Sequence, residues 1–191
     1  MSIKNRVSAA EWQARCELAA LYRVIAYYKM TDLIDTHISL RVPDRQDHFL
    51  INQYGIAFEK MTASTLVKID HEGHIVLPEE HNKPVNQAGF VIHSAIHHAR
   101  PEIDCVIHTH TADGIAVSAQ QQGLLPISQH ALKFYQKLAY HGYEGVALST
   151  DERERLVADL GQYRAMILRN HGLLAVGESI ARAFHEIYFL E

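Results

Sequence analysis

The chain has 191 residues, 48% of them hydrophobic, and a formal charge of −4. That is enough apolar material for one core, and the charge gives no electrostatic reason to expect a nucleic-acid partner. No apolar run reaches the roughly 18 residues of a membrane span, and no basic-then-apolar leader opens the chain, so one soluble, cytoplasmic domain over residues 1–191 is expected.

Taken in order, Trp12, Cys16, Ala19, Leu21, Val24 and Ile25 recur at helical spacing and predict a helix over 11–28, with Ser8 and Glu11 at capping-box spacing. The alternation over 39–42 and the apolar run 48–51 predict two strands of an antiparallel hairpin. A capped turn over 62–66 leads to a strand at 67–70, and Gly73 turns the chain into another at 75–77. The polar stretch 78–84 reads as a loop. A helix over 86–98 is stopped by Pro101, and an apolar strand over 104–107 follows. A helix over 113–122 closes at Gly123, and 124–127 returns to the core. Thr150, Asp151 and Glu152 suit a helix start, with the mixed-charge run 151–155 as its solvated face and Gly161 as its end. Strands over 165–168 and 173–176 flank a turn at Gly172, and Ser179 caps a last helix over 180–190. That helix reaches Glu191 with no Gly, Asn or Pro stop, as expected of a fragment or of a chain lacking residues beyond 191. The interleaving predicts a three-layer α/β/α domain with a central, mostly antiparallel sheet. Phe134, Tyr135, Tyr140 and Tyr143 read as exposed aromatics suited to an interface. Cys16 and Cys105 lack disulfide or zinc-finger spacing and read as reduced core thiols.

Histidine is the compositional outlier, with 14 copies. His71, His74, His97, His98 and His141 read as surface or helix-end residues. His108 and His110 differ: they close the apolar strand, and residues i and i+2 of a strand leave it on one face. Such a pair grips one metal ion, and a third imidazole completes a zinc-type site with an open position. His171, in Arg169-Asn170-His171-Gly172-Leu173, is the candidate third. The competing readings are histidines that hydrogen-bond neighbouring backbone and a site that has lost its metal.

Several segments in order resemble the class II aldolase/adducin family, and most closely its adducin head domain. They include Val85-Asn86-Gln87-Ala88-Gly89-Phe90, Val106-Ile107-His108-Thr109-His110-Thr111 and Leu168-Arg169-Asn170-His171-Gly172-Leu173, with 48–51, 62–69, 93–96 and 123–128. The resemblance implies a three-layer fold and a homo-oligomer, tetrameric in the aldolase members, with sites at the subunit boundary. It implies zinc or another divalent ion on an H-x-H pair and a later histidine, matching His108, His110 and His171. Such an ion would polarise a small hydroxy-carbonyl or sugar substrate and stabilise the charge that develops as a carbon–carbon bond breaks.

Two departures bear on activity. The aldolases' acid/base glutamate follows a K-P-S-S-E-like segment, and that position falls on Gly89, which transfers no proton. Lys83-Pro84 persists, but Val85-Asn86-Gln87 follows where the aldolases carry phosphate-contacting serines; Lys83 and Asn86 remain as substrate-contact candidates. His37-Ile38-Ser39 stands in place of a glycine-containing phosphate turn, which weakens the case for a phosphorylated substrate. His37 and His130 are then candidates for proton transfer, with Glu79, Glu80, Glu102 and Asp113 as carboxylate alternatives. Two readings follow: a metal-dependent lyase or epimerase-like enzyme, and a non-enzymatic adducin-like interaction domain. Actin and spectrin are not inferred as partners, because adducin engages them through a basic tail that these 191 residues do not contain.

Overall fold

The computed structural model describes residues 2–145 and 150–191, with the side chains of all of these except 150–152. Ser8 accepts the Glu11 amide at 3.0 Å and starts α1 (Ala9–Tyr27); Asn86, Thr111, Ser128 and Ser179 cap α2 (Gln87–Ala99), α3 (Ala112–Ser118), α4 (Gln129–Lys133) and α6 (Ile180–Leu190) in the same way. Helix α5 spans Thr150–Leu160. The strands are β1 (His37–Val42), β2 (Arg45–Asn52), β3 (Leu66–Asp70), β4 (Cys105–Thr109), β5 (Ala139–His141), β6 (Ala165–Leu168) and β7 (Gly172–Gly177). They form one sheet in the order β3-β2-β1-β4-β7-β6-β5. Every pair is antiparallel except β5–β6.

The period of two along each strand sorts side chains between two cores. Ile38, Leu40, Cys105, Ile107, Leu173 and Ala175 face α1 and α6, where Leu18, Tyr22, Ile25, Ala183 and Ile187 pack on them. Phe49, Val67, Val106, Met166, Leu174 and Val176 face α2 and α5, meeting Phe90, Ile92, Ile96, Leu156 and Leu160. This is the expected α/β/α sandwich. No described helix is long and apolar enough to cross a membrane.

Two polar devices fix the layers. The Tyr22 hydroxyl accepts the amides of Ile38 and Asn52, both at 3.0 Å, and so staples α1 to the β1–β2 hairpin. Burial pushes that phenol well above its usual pKa, so it stays protonated and can also donate. On the same face, the fully buried Arg15 pairs with Glu11 at 3.0 Å and with Glu80 at 2.9 Å. Glu11 also takes the Lys68 ammonium at 2.7 Å, and Glu80 the Lys68 amide at 2.7 Å.

Several expectations need correction. Cys16 is exposed, on the outer side of α1; only Cys105 is a core thiol. His97 is buried on the sheet-facing side of α2, and His141 is buried on β5. Residues 75–77 form a single bridge, Ile69 to Ile75, rather than a strand. Helix α3 ends at Ser118, four residues early. In 124–127 only Leu124 packs on the core, while Ile127 is 84% exposed. Phe134 is core, not surface, whereas Tyr135 and Tyr143 are exposed as expected. The capping expected of Thr150, Asp151 and Glu152 lies outside the described side chains.

Candidate metal centre

His108 is the fourth residue of β4, on the α2 side of the sheet; His110 lies just beyond the strand end, and His171 sits in the β6–β7 turn. That turn is made by Asn170 at φ 56°, a left-handed conformation that asparagine tolerates. Gly172 then allows close approach: a Cβ there would collide with the Thr109 carbonyl and lie 3.0 Å from the His110 ring. The three Nε2 atoms converge, 2.7 Å apart for His108–His110, 3.0 Å for His110–His171 and 3.2 Å for His108–His171.

The surroundings dictate which nitrogens carry protons. His108 Nδ1 donates to the Leu173 carbonyl at 2.8 Å. His110 Nδ1 is 3.2 Å from Asp32 Oδ2 and donates to that carboxylate. With Nδ1 carrying the ring proton of each, the two Nε2 atoms of the neutral rings are lone pairs facing each other. Burial drives His108 well below its usual pKa, and burial with His110 beside it takes His171 down to about 4. Neutral, converging lone pairs repel one another; a cation between them turns repulsion into coordination. Three imidazoles, two of them held through Nδ1 by the Leu173 carbonyl and the Asp32 carboxylate, are the donor set of a zinc site with an open position. Among the described residues one other group, Asp70, Glu72 and His74, brings metal-type donors together. It is an exposed turn in which Asp70 already accepts the amides of Glu72 and His74.

His37 faces His108 across the β1–β4 register, the ring centroids 4.9 Å apart. It is buried and, by burial first, held well below its usual pKa. Gly89 lies against it: a Cβ on Gly89 would come within 2.7 Å of His37 Cδ2. The helix position that the resemblance gives to the aldolase glutamate is thus empty of side chain, and the His37 ring fills the space. Gly89→Ala is accordingly expected to destabilise by about 1–3 kcal/mol through overpacking, although alanine favours a helix interior by about 1 kcal/mol. Urea unfolding checks the sign, and a stabilised variant would show that His37 yields freely.

The other sequence candidates are placed elsewhere. His130 is exposed beside Phe189 and lines a cavity with Thr111, Asp113 and Glu191. Lys83 is committed to the Ser64 and Leu66 carbonyls, at 2.7 and 3.1 Å, and to Glu80. The Asn86 side chain caps α2. Glu79 pairs with Arg6 at 2.5 Å and Glu102 with Arg100 at 2.7 Å. Sequence reasoning missed Asp32, which sits in the irregular segment after α1 and meets His110 only through the fold. It also missed His93, whose spacing of four from both Gly89 and His97 marks one helix face.

A three-layer sandwich around a mostly antiparallel sheet is the fold of the class II aldolases. The chain belongs to the class II aldolase and adducin N-terminal domain family, whose model matches residues 16–191. It is similar to an aldolase II superfamily protein from Pseudomonas syringae, at 55% identity and a TM-score of 0.95, over 100% of this chain and 76% of that one. It is similar to alpha-adducin of Rattus norvegicus at 46% identity, over 92% of this chain and 24% of adducin. It also resembles the L-fuculose 1-phosphate aldolase of Glaciozyma antarctica PI12, at 34% identity and a TM-score of 0.84, over 95% of this chain and 70% of that one.

Proposed function

We propose that this domain is a divalent-metal-dependent enzyme of aldolase type, acting on a small hydroxy-carbonyl or sugar compound, with His108, His110 and His171 as metal ligands and His37 as the proton-transfer group. The observation that carries the reading is the convergence of three Nε2 atoms within 3.2 Å, with the Nδ1 atoms of two of the rings held by acceptors. A bound zinc-like ion would supply a Lewis acid that polarises the substrate carbonyl. His108 and His171 serve because burial keeps them neutral donors. Asp32 and the Leu173 carbonyl orient the two rings they touch. His37, uncharged beside the cluster, would take a hydroxyl proton as a carbon–carbon bond breaks, in the tautomer that leaves its Nε2 bare. The reading includes a cytoplasmic homo-oligomer, tetrameric as in the family's aldolases; the exposed Tyr135 and Tyr143 are consistent with an interface.

A second reading, a non-enzymatic adducin-like module, draws on the higher identity to alpha-adducin than to the fuculose-phosphate aldolase and on Gly89 at the acid/base position. One preparation separates them. Protein purified without chelator is assayed for metal, sized by light scattering and screened against phosphorylated and unphosphorylated aldol substrates. The enzyme reading expects near-stoichiometric zinc-type metal, a tetramer mass and turnover that chelation abolishes. Metal below a tenth of an equivalent after zinc addition sinks the metal assignment, and metal without any turnover moves the chain to the second reading.

A further inference from the structure

Strand β1 and helix α2 run side by side with matched periods. His37, Ser39 and Arg41 project from one face of the strand, and Gly89, His93 and His97 from one stripe of the helix. The polar side chains interleave into a continuous hydrogen-bonded chain. His37 Nδ1 meets His93 Nε2 at 2.8 Å, His93 Nδ1 meets Ser39 Oγ at 2.5 Å, and Ser39 Oγ meets His97 Nε2 at 2.7 Å. All four residues are buried, at 2% exposure or less, so water does not interrupt the series.

Counting protons shows what such a chain does. Each neutral imidazole brings one ring N–H and serine brings one O–H. Burial holds His93 well below its usual pKa and His97 at about 3, so neither carries a second proton at neutral pH. Four protons serve three hydrogen bonds, and one is left over: at His37 Nε2 or at His97 Nδ1 when Ser39 donates within the chain, and on the Ser39 hydroxyl when it accepts from both histidines. Serine donates to at most one of the two histidines, and whenever it donates within the chain all three bonds point the same way and reverse together. If the bonds point toward His97, His37 presents a bare Nε2; if they point the other way, it presents an N–H. At the far end, the Ile103 carbonyl favours a proton on the His97 ring, but it accepts from Arg41 and makes no hydrogen bond to Nδ1.

We propose that His93, Ser39 and His97 are positioning residues that lock the His37 imidazole into one tautomer and one orientation toward the three-histidine cluster. The functional meaning rests on the reading of His37 as the proton-transfer group; the lock itself does not. Long-range proton–nitrogen NMR of the metal-free chain, labelled with ¹⁵N-histidine, reads it directly. In the native protein His37, His93 and His97 should each show one protonated and one bare ring nitrogen. Ser39→Ala cuts the chain at its middle, and the two His37 nitrogens should then move toward a common, averaged shift. Ser39→Thr, which keeps a hydroxyl, should restore the split. His97→Gln breaks the same chain farther out and provides the test should Ser39→Ala fail to fold. Unchanged His37 shifts in a folded Ser39→Ala or His97→Gln variant would overturn the proposal, as would averaged His37 nitrogens in the native protein. If the shifts respond as expected but His37→Gln leaves turnover intact, the lock stands and the role given to His37 falls.

Discussion

Replacing His171 by alanine is expected to lower zinc affinity by more than roughly 100-fold while leaving the domain folded. Losing a partner that merely orients a ligand costs about 10–100-fold; losing one of three ligands costs more. The fold survives because His171 is half-buried in a turn, and the β6–β7 pairing runs from Leu168–Gly172 to Ala165–Ala175 without its side chain. His108 is a poorer test, being fully buried within β4. The companion change separates binding from chemistry. His37→Gln keeps all three ligands, so zinc should still bind, whereas turnover should fall by about 10²–10⁴, the usual contribution of a positioned acid or base. Chelator-competition titration reads the first quantity, steady-state assay the second, and far-UV circular dichroism checks the fold in both. Native-like zinc binding by His171→Ala would place the ion elsewhere.

The largest expected loss of stability comes from Glu80→Ala, at about 3–5 kcal/mol, the typical result of removing one partner from a buried ion pair. Glu80 is fully buried and receives Arg15, Lys83 and the Lys68 amide. Without it, Arg15 and Lys68 share the single carboxylate of Glu11, Lys83 keeps only backbone carbonyls, and Arg15, whose Nη2 already lacks a partner, is left with one counter-charge. The combined variant Arg15→Met with Glu80→Leu removes both charges and should cost less than Glu80→Ala alone. Urea denaturation of the three proteins gives the comparison. A single-variant loss within about 1 kcal/mol, the range of an exposed pair, would show that the network is solvated.

The layered fold and the ligand geometry were legible for different reasons. Period-two alternation and helical spacing are local, and they located eleven of the thirteen helices and strands among the described residues closely enough to give the sandwich. The convergence of His108 and His110 is likewise a strand rule, whereas the third histidine and its turn needed the motif around Gly172. Strand β5 is only three residues long, too short for alternation to register. Helix α2 misled because it is buried on nearly every side. With no polar face to contrast with its apolar one, the buried His97 reads as a surface residue like its exposed neighbour His98. Glu80 lay in a charged stretch that reads as loop, and only tertiary packing reveals that its carboxylate is the counter-charge of α1. Asp32 carries no local signal of its neighbour, His110.

The middle strand of the sheet also bears on how the molecule reaches its final form. β4 joins β1 on one side and β7 on the other, and His108 and His171 are separated by 63 residues of chain. Contacts of such sequence separation must overcome loop-closure entropy before they reward it, which makes them slow. The gathered imidazoles are therefore absent from early, locally ordered species, and an ion has no preformed site there to nucleate around. Under the proposed metal reading an ion would act afterwards, by mass action on the completed structure, adding about 2.7 kcal/mol when free ion stands at 100 times its dissociation constant. Metal supply would then raise resistance to unfolding rather than the rate of folding.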